Sequence, residues 1–278
     1  MSSTNSADID PALVPVSHAA TVMLVDDRPD LHVLMLRRTK KVVFASAMWV
    51  FPGGRVDPDD HHDDFNHVCD GLSDAEASTI LDVPSGGLAW WIAACRETLE
   101  EAGLLLAAGA VDPALLVELT DAVRQDENRF VELLVDEGLR LDTSLVEEVA
   151  RFITPVGPPR RFDARFFVAK APDGQEPIHD NSEIVAWEWV RPSEALERWT
   201  AGEFDMMSPT VRMVACLARY ETATDVMAAA KQRLPYRRVR VNDPYGAYQV
   251  LLPGEPGYET AELEIESGWV RLWEADHL

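Results

Sequence analysis

Three glutamates in residues 96–104 are spaced so that they share one side of a helix. With an advance of ~100° per residue, Glu97, Glu100 and Glu101 fall within one sector. The opposite side is more apolar and collects Trp91, Cys95, Thr98, Leu99 and Ala102. Carboxylate oxygens on a rigid element are the ligands that hard divalent cations such as Mg²⁺ require. The segment is therefore a candidate metal site.

A solvated acidic face is the competing interpretation, in which Arg96 and Glu100 form an i,i+4 ion pair on the helix surface. Upstream, however, Gly53 and Gly54 precede a run of aspartates. Glycines permit positive φ and let the backbone approach a ligand closely. Gly103 also stands where the end of a helix favours a left-handed residue. The combination predicts a metal-phosphate site.

The spacing of these residues resembles the Nudix box of diphosphate hydrolases, whose pattern is Gly-x5-Glu-x7-Arg-Glu-aliphatic-x-Glu-Glu-x-Gly-aliphatic. Gly54 matches the first glycine, and residues 96–104 match the second half. Two residues depart from the pattern, since Asp60 replaces the first Glu and Thr98 replaces an aliphatic residue. The seven-residue spacer is also replaced by the 35 residues 61–95. The resemblance therefore includes an insertion within the box.

An interrupted box, together with the later residues 159–167, is similar to the coenzyme A diphosphatase branch, especially its peroxisomal members. This resemblance implies hydrolysis of coenzyme A or acyl-coenzyme A to phosphopantetheine and adenosine 3′,5′-bisphosphate. ADP-ribose or a dinucleotide such as NADH is the alternative substrate. A catalytically silent Nudix-fold binding or regulatory protein is a rival of a different class. The retained glutamates count against that rival, because a binding module has no need of a metal face.

The resemblance also implies roles for the charged residues. The ligands expected for Mg²⁺ or Mn²⁺ are Glu97, Glu100 and Glu101. The cation would neutralise and orient a diphosphate for in-line attack by water. Arg96 is expected to position Glu100, and either Glu101 or Glu183 would act as general base. Glu188 is the rival of Glu183 for the additional acidic position.

Basic clusters in an acidic chain are candidate contacts for substrate phosphates, since guanidinium groups suit bidentate phosphate recognition. One cluster spans residues 37–41, and the other precedes a predicted strand. The substrate-binding residues expected from these clusters and from the glycine loop are Gly53, Gly54, Arg37, Arg38, Arg160, Arg161 and Arg165. A purely structural role for the later arginines is the alternative interpretation.

Composition limits the partners of the chain. The formal charge is −23, from 25 basic and 48 acidic residues, which disfavours nucleic acid and anionic membranes. Three widely spaced cysteines lack a C-x-x-C pair and indicate a reducing compartment. Residues 1–16 lack the basic start and apolar run of a secretory signal, and residues 276–278 differ from a Ser-Lys-Leu peroxisomal address. The expectation is a cytoplasmic protein that acts on a small molecule.

Hydrophobic patterns predict a chain with both strands and helices. Strands are expected at 19–25, 31–36, 48–51, 165–169 and 184–190, and helices at 74–81, from 88 onward, at 193–200, 210–220 and 222–234, with three more between 112 and 152. The resemblance implies a Nudix-type α/β/α sandwich with a mixed sheet, enlarged by these extra helices and a C-terminal β extension.

The expected divisions are a disordered tail at 1–16, a Nudix hydrolase domain at 17–235 with an insert at 61–87, and a β-rich extension at 236–278. The sequence leaves open whether this extension covers the active site or forms a homodimer interface.

Overall fold

The computed structural model describes residues 13–39, 47–62, 64–178, 183–242, 249–261 and 268–273. Most of the predicted N-terminal tail, as well as Lys40 and Lys41 of the first basic cluster, lie outside these residues. Within the described ranges, no helix combines the length and apolar character needed to cross a bilayer.

A mixed sheet forms the centre of the molecule. Among the described residues it has nine strands: β1 (Val16–Asp27), β2 (Leu31–Arg38), β3 (Trp49–Val50), β4 (Gly53–Arg55), β7 (Val146–Ile153), β8 (Arg161–Lys170), β9 (Ile184–Val190), β10 (Arg237–Arg238) and β13 (Trp269–Val270). Two short pairs lie apart from it, β5 (Cys69–Asp70) with β6 (Leu141–Asp142), and β11 (Arg240–Asn242) with β12 (Gln249–Leu251). The strands run in the order β10-β13-β7-β8-β1-β2-β3, with β4 beside β1 and β9 beside β2.

The long strand β1 organises this sheet. It runs parallel to β8 along ten residue pairs and antiparallel to both β2 and β4. Successive side chains of a strand point to opposite faces. Ala20, Val22 and Leu24 therefore enter one core, whereas Met23 and Val25 enter the other. The sheet is buried on both faces, as a central sheet between two helical layers must be.

The helices cover the two faces of the sheet. They are α1 (Phe65–Val68), α2 (Asp74–Leu81), α3 (Leu88–Ala102), α4 (Pro113–Gln125), α5 (Phe130–Asp136), α6 (Pro192–Thr200), α7 (Ser208–Leu217) and α8 (Ala223–Lys231). Residues of α1 to α5 enter the core on one face, and residues of α6 to α8 enter the core on the other. The predicted α/β/α sandwich with a mixed sheet is confirmed.

Hydrogen bonds at the starts of α2 and α3 hold the insert in place. The side chain of Ser73 accepts a hydrogen bond from the backbone N–H of Glu76, and the Glu76 carboxylate accepts one from the backbone N–H of Ser73, so a capping box starts α2. The predicted helix at 74–81 is confirmed. Asp74 then accepts hydrogen bonds from the backbone N–H groups of Gly86 and Leu88 and thereby joins α2 to the start of α3.

The prediction of a third helix between residues 112 and 152 is wrong. Helices α4 and α5 form, but Val146–Ile153 is strand β7 beside β8. Both faces of β7 are covered, and a register shift lies between Glu148 and Ala150. The shift interrupts the alternation of buried and exposed positions, which leaves apolar residues at a spacing that imitates a helix.

The C-terminal β segment continues the central sheet. Strand β13 pairs with β7, and β10 pairs with β13, so residues after 236 supply one edge of the same sheet. These strand pairings attach the C-terminal extension to the central sheet. The expected division at 235/236 stays a prediction.

We expect all three cysteines to resist alkylation in the native protein. Cys69, Cys95 and Cys216 are buried free thiols. Burial raises the pKa of Cys69 and of Cys216 to about 12, and it raises the pKa of Cys95 further. Because the thiolate is the reactive form, labelling with a chromogenic disulfide reagent at pH 8 should require unfolding. Rapid labelling before the unfolding transition would contradict this burial.

Candidate active site

The glycine loop, which is Gly53 and Gly54 in the short strand β4, contacts two glutamates of α3. The backbone N–H of Gly53 donates to Oε2 of Glu101 at 2.9 Å. Gly53 has φ +152°, and a Cβ there would lie 2.4 Å from the carbonyl oxygen of Ala20. A Cβ on Gly54 would lie 2.3 Å from Oε1 of Glu97. Only glycine therefore fits at Gly53 without backbone movement, and Gly54 leaves the space that the Glu97 carboxylate occupies.

Arg96 is buried beside these glutamates, with 3% of its surface exposed. Its Nε and Nη2 donate to the two carboxylate oxygens of Asp60 at 2.9 and 3.0 Å. Nη2 also donates to the carbonyl of Arg55, and Nη1 donates to Glu97 at 3.1 Å. Nη1 lies 3.6 Å from Glu100. Arg96 thus joins three parts of the site: the aspartate turn (residues 57–60), the backbone next to the glycine loop, and the acidic face of α3.

Burial dominates the electrostatics of the three glutamates. It raises the pKa of Glu97 well above the usual range, and it raises the pKa of Glu100 and of Glu101 to about 7. Arg96 opposes the shift at Glu97 and Glu100, and Arg38 opposes the shift at Glu101. A nearby cation would stabilise the ionised forms of all three carboxylates.

The glutamates fit a hard divalent cation by their chemistry. Oε2 of Glu100 is buried without a hydrogen-bond partner, although Arg96 lies near it. In the part of the chain that the structure describes, no group of three or more His, Cys, Asp or Glu side chains is arranged so that it could hold a metal ion by itself. Mg²⁺ commonly completes its octahedron with waters and substrate phosphate oxygens. The unpartnered oxygen of Glu100 is therefore the clearest feature that a cation would satisfy.

Arg38 and Glu183 complete the site from the neighbouring strands. Nη2 of Arg38, at the end of β2, donates to Oε2 of Glu183 at 3.3 Å. The backbone N–H of Thr39 donates to the carbonyl of Glu183 at 2.7 Å. The charge of Glu183 raises the pKa of both Glu100 and Glu101. Glu183 therefore faces the acidic side of α3, together with one guanidinium.

Comparison with known proteins identifies this arrangement. A family model described as the NUDT19 Nudix domain matches residues 71–217, just over half of the chain. The chain belongs to the NUDT19 Nudix family. Its fold is also similar to the crystal structure of a NUDIX hydrolase from Alicyclobacillus acidocaldarius, with a TM-score of 0.64 and 25% sequence identity. That similarity covers 78% of this chain and 97% of the bacterial one.

Two curated relatives are named acyl-coenzyme A diphosphatase NUDT19. The protein from Xenopus laevis is 28% identical over 207 residues, which cover 60% of this chain and 54% of the relative. The protein from Gallus gallus is 26% identical over 281 residues, which cover 81% of this chain and 74% of the relative. The chain thus spans about half of the frog protein and about three quarters of the chicken protein.

Glu188, the rival of Glu183, lies away from the acidic face of α3 in this Nudix fold. It is on β9 opposite Met35, whose side chain enters the core on the α6 to α8 face. Both of its carboxylate oxygens accept hydrogen bonds from Arg198, at 2.5 and 3.2 Å. The structure therefore favours Glu183 over Glu188 as the additional acidic residue of the site.

The expectation that both Arg37 and Arg38 contact substrate phosphates needs correction. The pairing of β2 with β9 has a register shift between these two residues, and the guanidinium of Arg37 lies 5.9 Å from the ring centre of Trp49. Trp49 belongs to the core on the α6 to α8 face. Arg38 is the member of the pair that reaches Glu183 and the Nudix glutamates.

The expectation that Arg161 and Arg165 bind substrate phosphates is also corrected. Arg165 is 3% exposed, and it donates to Glu148 at 2.7 Å and to the carbonyl of Leu81 at 3.0 Å. Arg161 is buried as well and donates to the carbonyl of Thr154. Of the three arginines in the second cluster, Arg160 is exposed. The buried two stabilise the sheet, which is the structural role considered from sequence.

Two residues, one in α4 and one in the turn between α4 and α5, reach the site without having been expected there. Oε2 of Glu127 lies 3.8 Å from Nη1 of Arg96, and Nε of Arg124 donates to the carbonyl of Glu100 at 2.8 Å. The carboxylates and arginines of this region look like an ordinary solvated surface in the sequence. Only the packing of α4 against α3 shows which of them face the glutamates.

We expect Arg165→Gln to reduce the stability of the fold. The substitution would leave the buried Glu148 carboxylate without its guanidinium, and loss of one partner of a buried pair costs about 3–5 kcal/mol. The measurement is the free energy of unfolding in urea, with Arg160→Gln as the exposed control. Unchanged stability with weaker substrate binding would restore Arg165 as a substrate contact.

Proposed function

We propose that this Nudix protein is a metal-dependent diphosphatase that cleaves coenzyme A or acyl-coenzyme A to phosphopantetheine and adenosine 3′,5′-bisphosphate. Its relatives named acyl-coenzyme A diphosphatase support the substrate class. The observation that carries the activity is the meeting of the buried Glu101 and the partly buried Glu97 with Gly53 and Gly54, together with the unpartnered Oε2 of the partly buried Glu100.

The metal would be Mg²⁺ or Mn²⁺, held by Glu97, Glu100 and Glu101. When bound, such a cation neutralises diphosphate charge and lowers the pKa of water. Arg96 keeps Glu97 and Glu100 in place, since its buried guanidinium contacts both and is itself held by Asp60. The protein thereby presents hard oxygen donors on a rigid helix, which favours precise placement of the reacting groups.

We assign proton acceptance to Glu183. Oε2 of Glu101 is engaged by the N–H of Gly53, and the Glu101 side chain is buried. The side chain of Glu183 is 62% exposed and can therefore meet solvent water. Arg38 contacts Glu183 and can orient it, while its remaining donors can face a substrate phosphate oxygen.

The partners follow from the same chemistry. The net charge of −23 disfavours nucleic acid and anionic membranes, so the proposed partner is a small nucleoside diphosphate derivative. The buried free cysteines fit a reducing compartment, and we propose the cytoplasm. Formation of a homodimer stays a prediction, which a measurement of molar mass in solution would test.

Product analysis tests the reaction and the substrate. With Mg²⁺ or Mn²⁺, we expect cleavage of coenzyme A and an acyl-coenzyme A, and weaker cleavage of 3′-dephospho-coenzyme A, ADP-ribose and NADH. Glu100→Gln should lower kcat by roughly 100-fold or more, because a carboxylate oxygen that holds the cation is lost. Turnover of ADP-ribose or NADH alone would retain the Nudix chemistry and exclude coenzyme A. Binding of coenzyme A without turnover would favour a silent binding protein.

A matched pair of substitutions tests the proton acceptor. Glu183→Gln should lower kcat by about 10²–10⁴-fold, the usual contribution of a general base. Glu188→Gln removes the same charge from the other face of the sheet and should leave kcat within about threefold of the parent. Equal effects of the two substitutions on kcat, or full activity of Glu183→Gln, would rule out this assignment.

A further inference from the structure

The C-terminal end of α3 is attached to the segment that precedes Glu183. The N–H of Ile178 donates to the carbonyl of Ala102 at 2.8 Å. The side chain of Gln175 makes two hydrogen bonds with the backbone of Leu105, at 2.9 and 3.2 Å. These bonds place residues 175–178 against the same helix end that presents Glu100 and Glu101.

Arg124 joins the two sides of this junction. It lies in the last turn of α4, where its Nε donates to the carbonyl of Glu100 at 2.8 Å. Its Nη2 donates to the carbonyl of Ile178 at 2.5 Å. One guanidinium therefore contacts the backbone of a proposed metal ligand and the backbone five residues before the proposed proton acceptor.

The end of α3 leaves the carbonyl of Glu100 without its usual donor within the helix. Gly103 is left-handed with φ +67°, and the N–H of Leu104 donates to the carbonyl of Thr98 at 3.4 Å. Leu104 is consequently turned away from Glu100, the residue to which it would donate in a continuing helix. Arg124 supplies a donor to that carbonyl, and its positive charge is favourable at the C-terminal end of a helix.

We propose that Arg124 is a positioning residue that sets the separation between Glu100 on α3 and Glu183, which immediately precedes β9. The proposal rests on the proposed diphosphatase function. The planar guanidinium of Arg124 reaches two backbone carbonyls in different segments, and the single ammonium group of a lysine cannot reproduce that fork. Loss of Arg124 should therefore displace the two carboxylates relative to each other without removing either one.

Steady-state kinetics of Arg124→Gln test the catalytic consequence. We expect kcat to fall roughly tenfold with KM within about twofold, because small displacements of reacting groups lower turnover. Arg124→Lys should recover activity only in part. The control is Arg129→Gln, which removes the same charge from an exposed arginine of the adjacent turn that contacts Glu132.

A double substitution separates positioning from general weakening of the fold. If Arg124 acts through Glu183, the loss in Arg124→Gln/Glu183→Gln should be smaller than the product of the two single losses. Independent, multiplicative losses would overturn the proposal. The same conclusion would follow if Arg124→Gln and Arg129→Gln lowered kcat equally.

Amide hydrogen exchange tests the junction without relying on activity. Exchange across residues 171–178 should accelerate at least about tenfold in Arg124→Gln and remain unchanged in Arg129→Gln. Unchanged exchange in Arg124→Gln would overturn the positioning role. If the parent protein hydrolyses none of the diphosphates, the proposed function fails, and this exchange measurement alone decides whether Arg124 holds the junction.

Discussion

The buried guanidinium of Arg96 is the constraint on which the site depends. A charge with 3% exposure is costly to bury unless its donors are paired. Asp60 accepts hydrogen bonds from Nε and Nη2, the carbonyl of Arg55 accepts a second one from Nη2, and the carboxylate of Glu97 accepts one from Nη1. The glycine loop, the aspartate turn and α3 must therefore remain together for the fold to tolerate Arg96.

This constraint explains how a box with 35 residues in place of its seven-residue spacer retains its geometry. The insert leaves after Asp60 and returns at α3, with Asp60 and Arg96 in direct contact. Between them, α2 has its own capping box and is tied to the start of α3 through Asp74. Separation along the chain consequently does not become separation in space.

The same packing divides the arginines into two classes. Arg165 and Arg96 both lie beside buried carboxylates, but Arg165 stabilises the sheet under α2, whereas Arg96 orders the glutamates of α3. Arg38 and Arg124 reach the site from its edges. A cluster of basic residues in an acidic sequence is thus a poor guide to substrate contact until burial and strand direction are known.

The sequence by itself determined the local elements and the chemistry of α3. Capping residues and periodicity identify α2 and α3, and the spacing of Glu97, Glu100 and Glu101 places them on one face because a helix has a fixed period. The two-layer arrangement around a mixed sheet followed from the family resemblance and is confirmed. Most other helices and strands also lie where the apolar patterns predict them.

Only the tertiary structure decided which distant groups meet that face. The helical interpretation of β7 failed because a register shift and burial on both faces remove the alternation that marks a strand. Arg37, Arg161 and Arg165 could not be separated from Arg38 by residue type, since strand orientation and burial are set by neighbouring elements. Arg124 carries no motif, because its contacts are to backbone carbonyls that packing brings within reach.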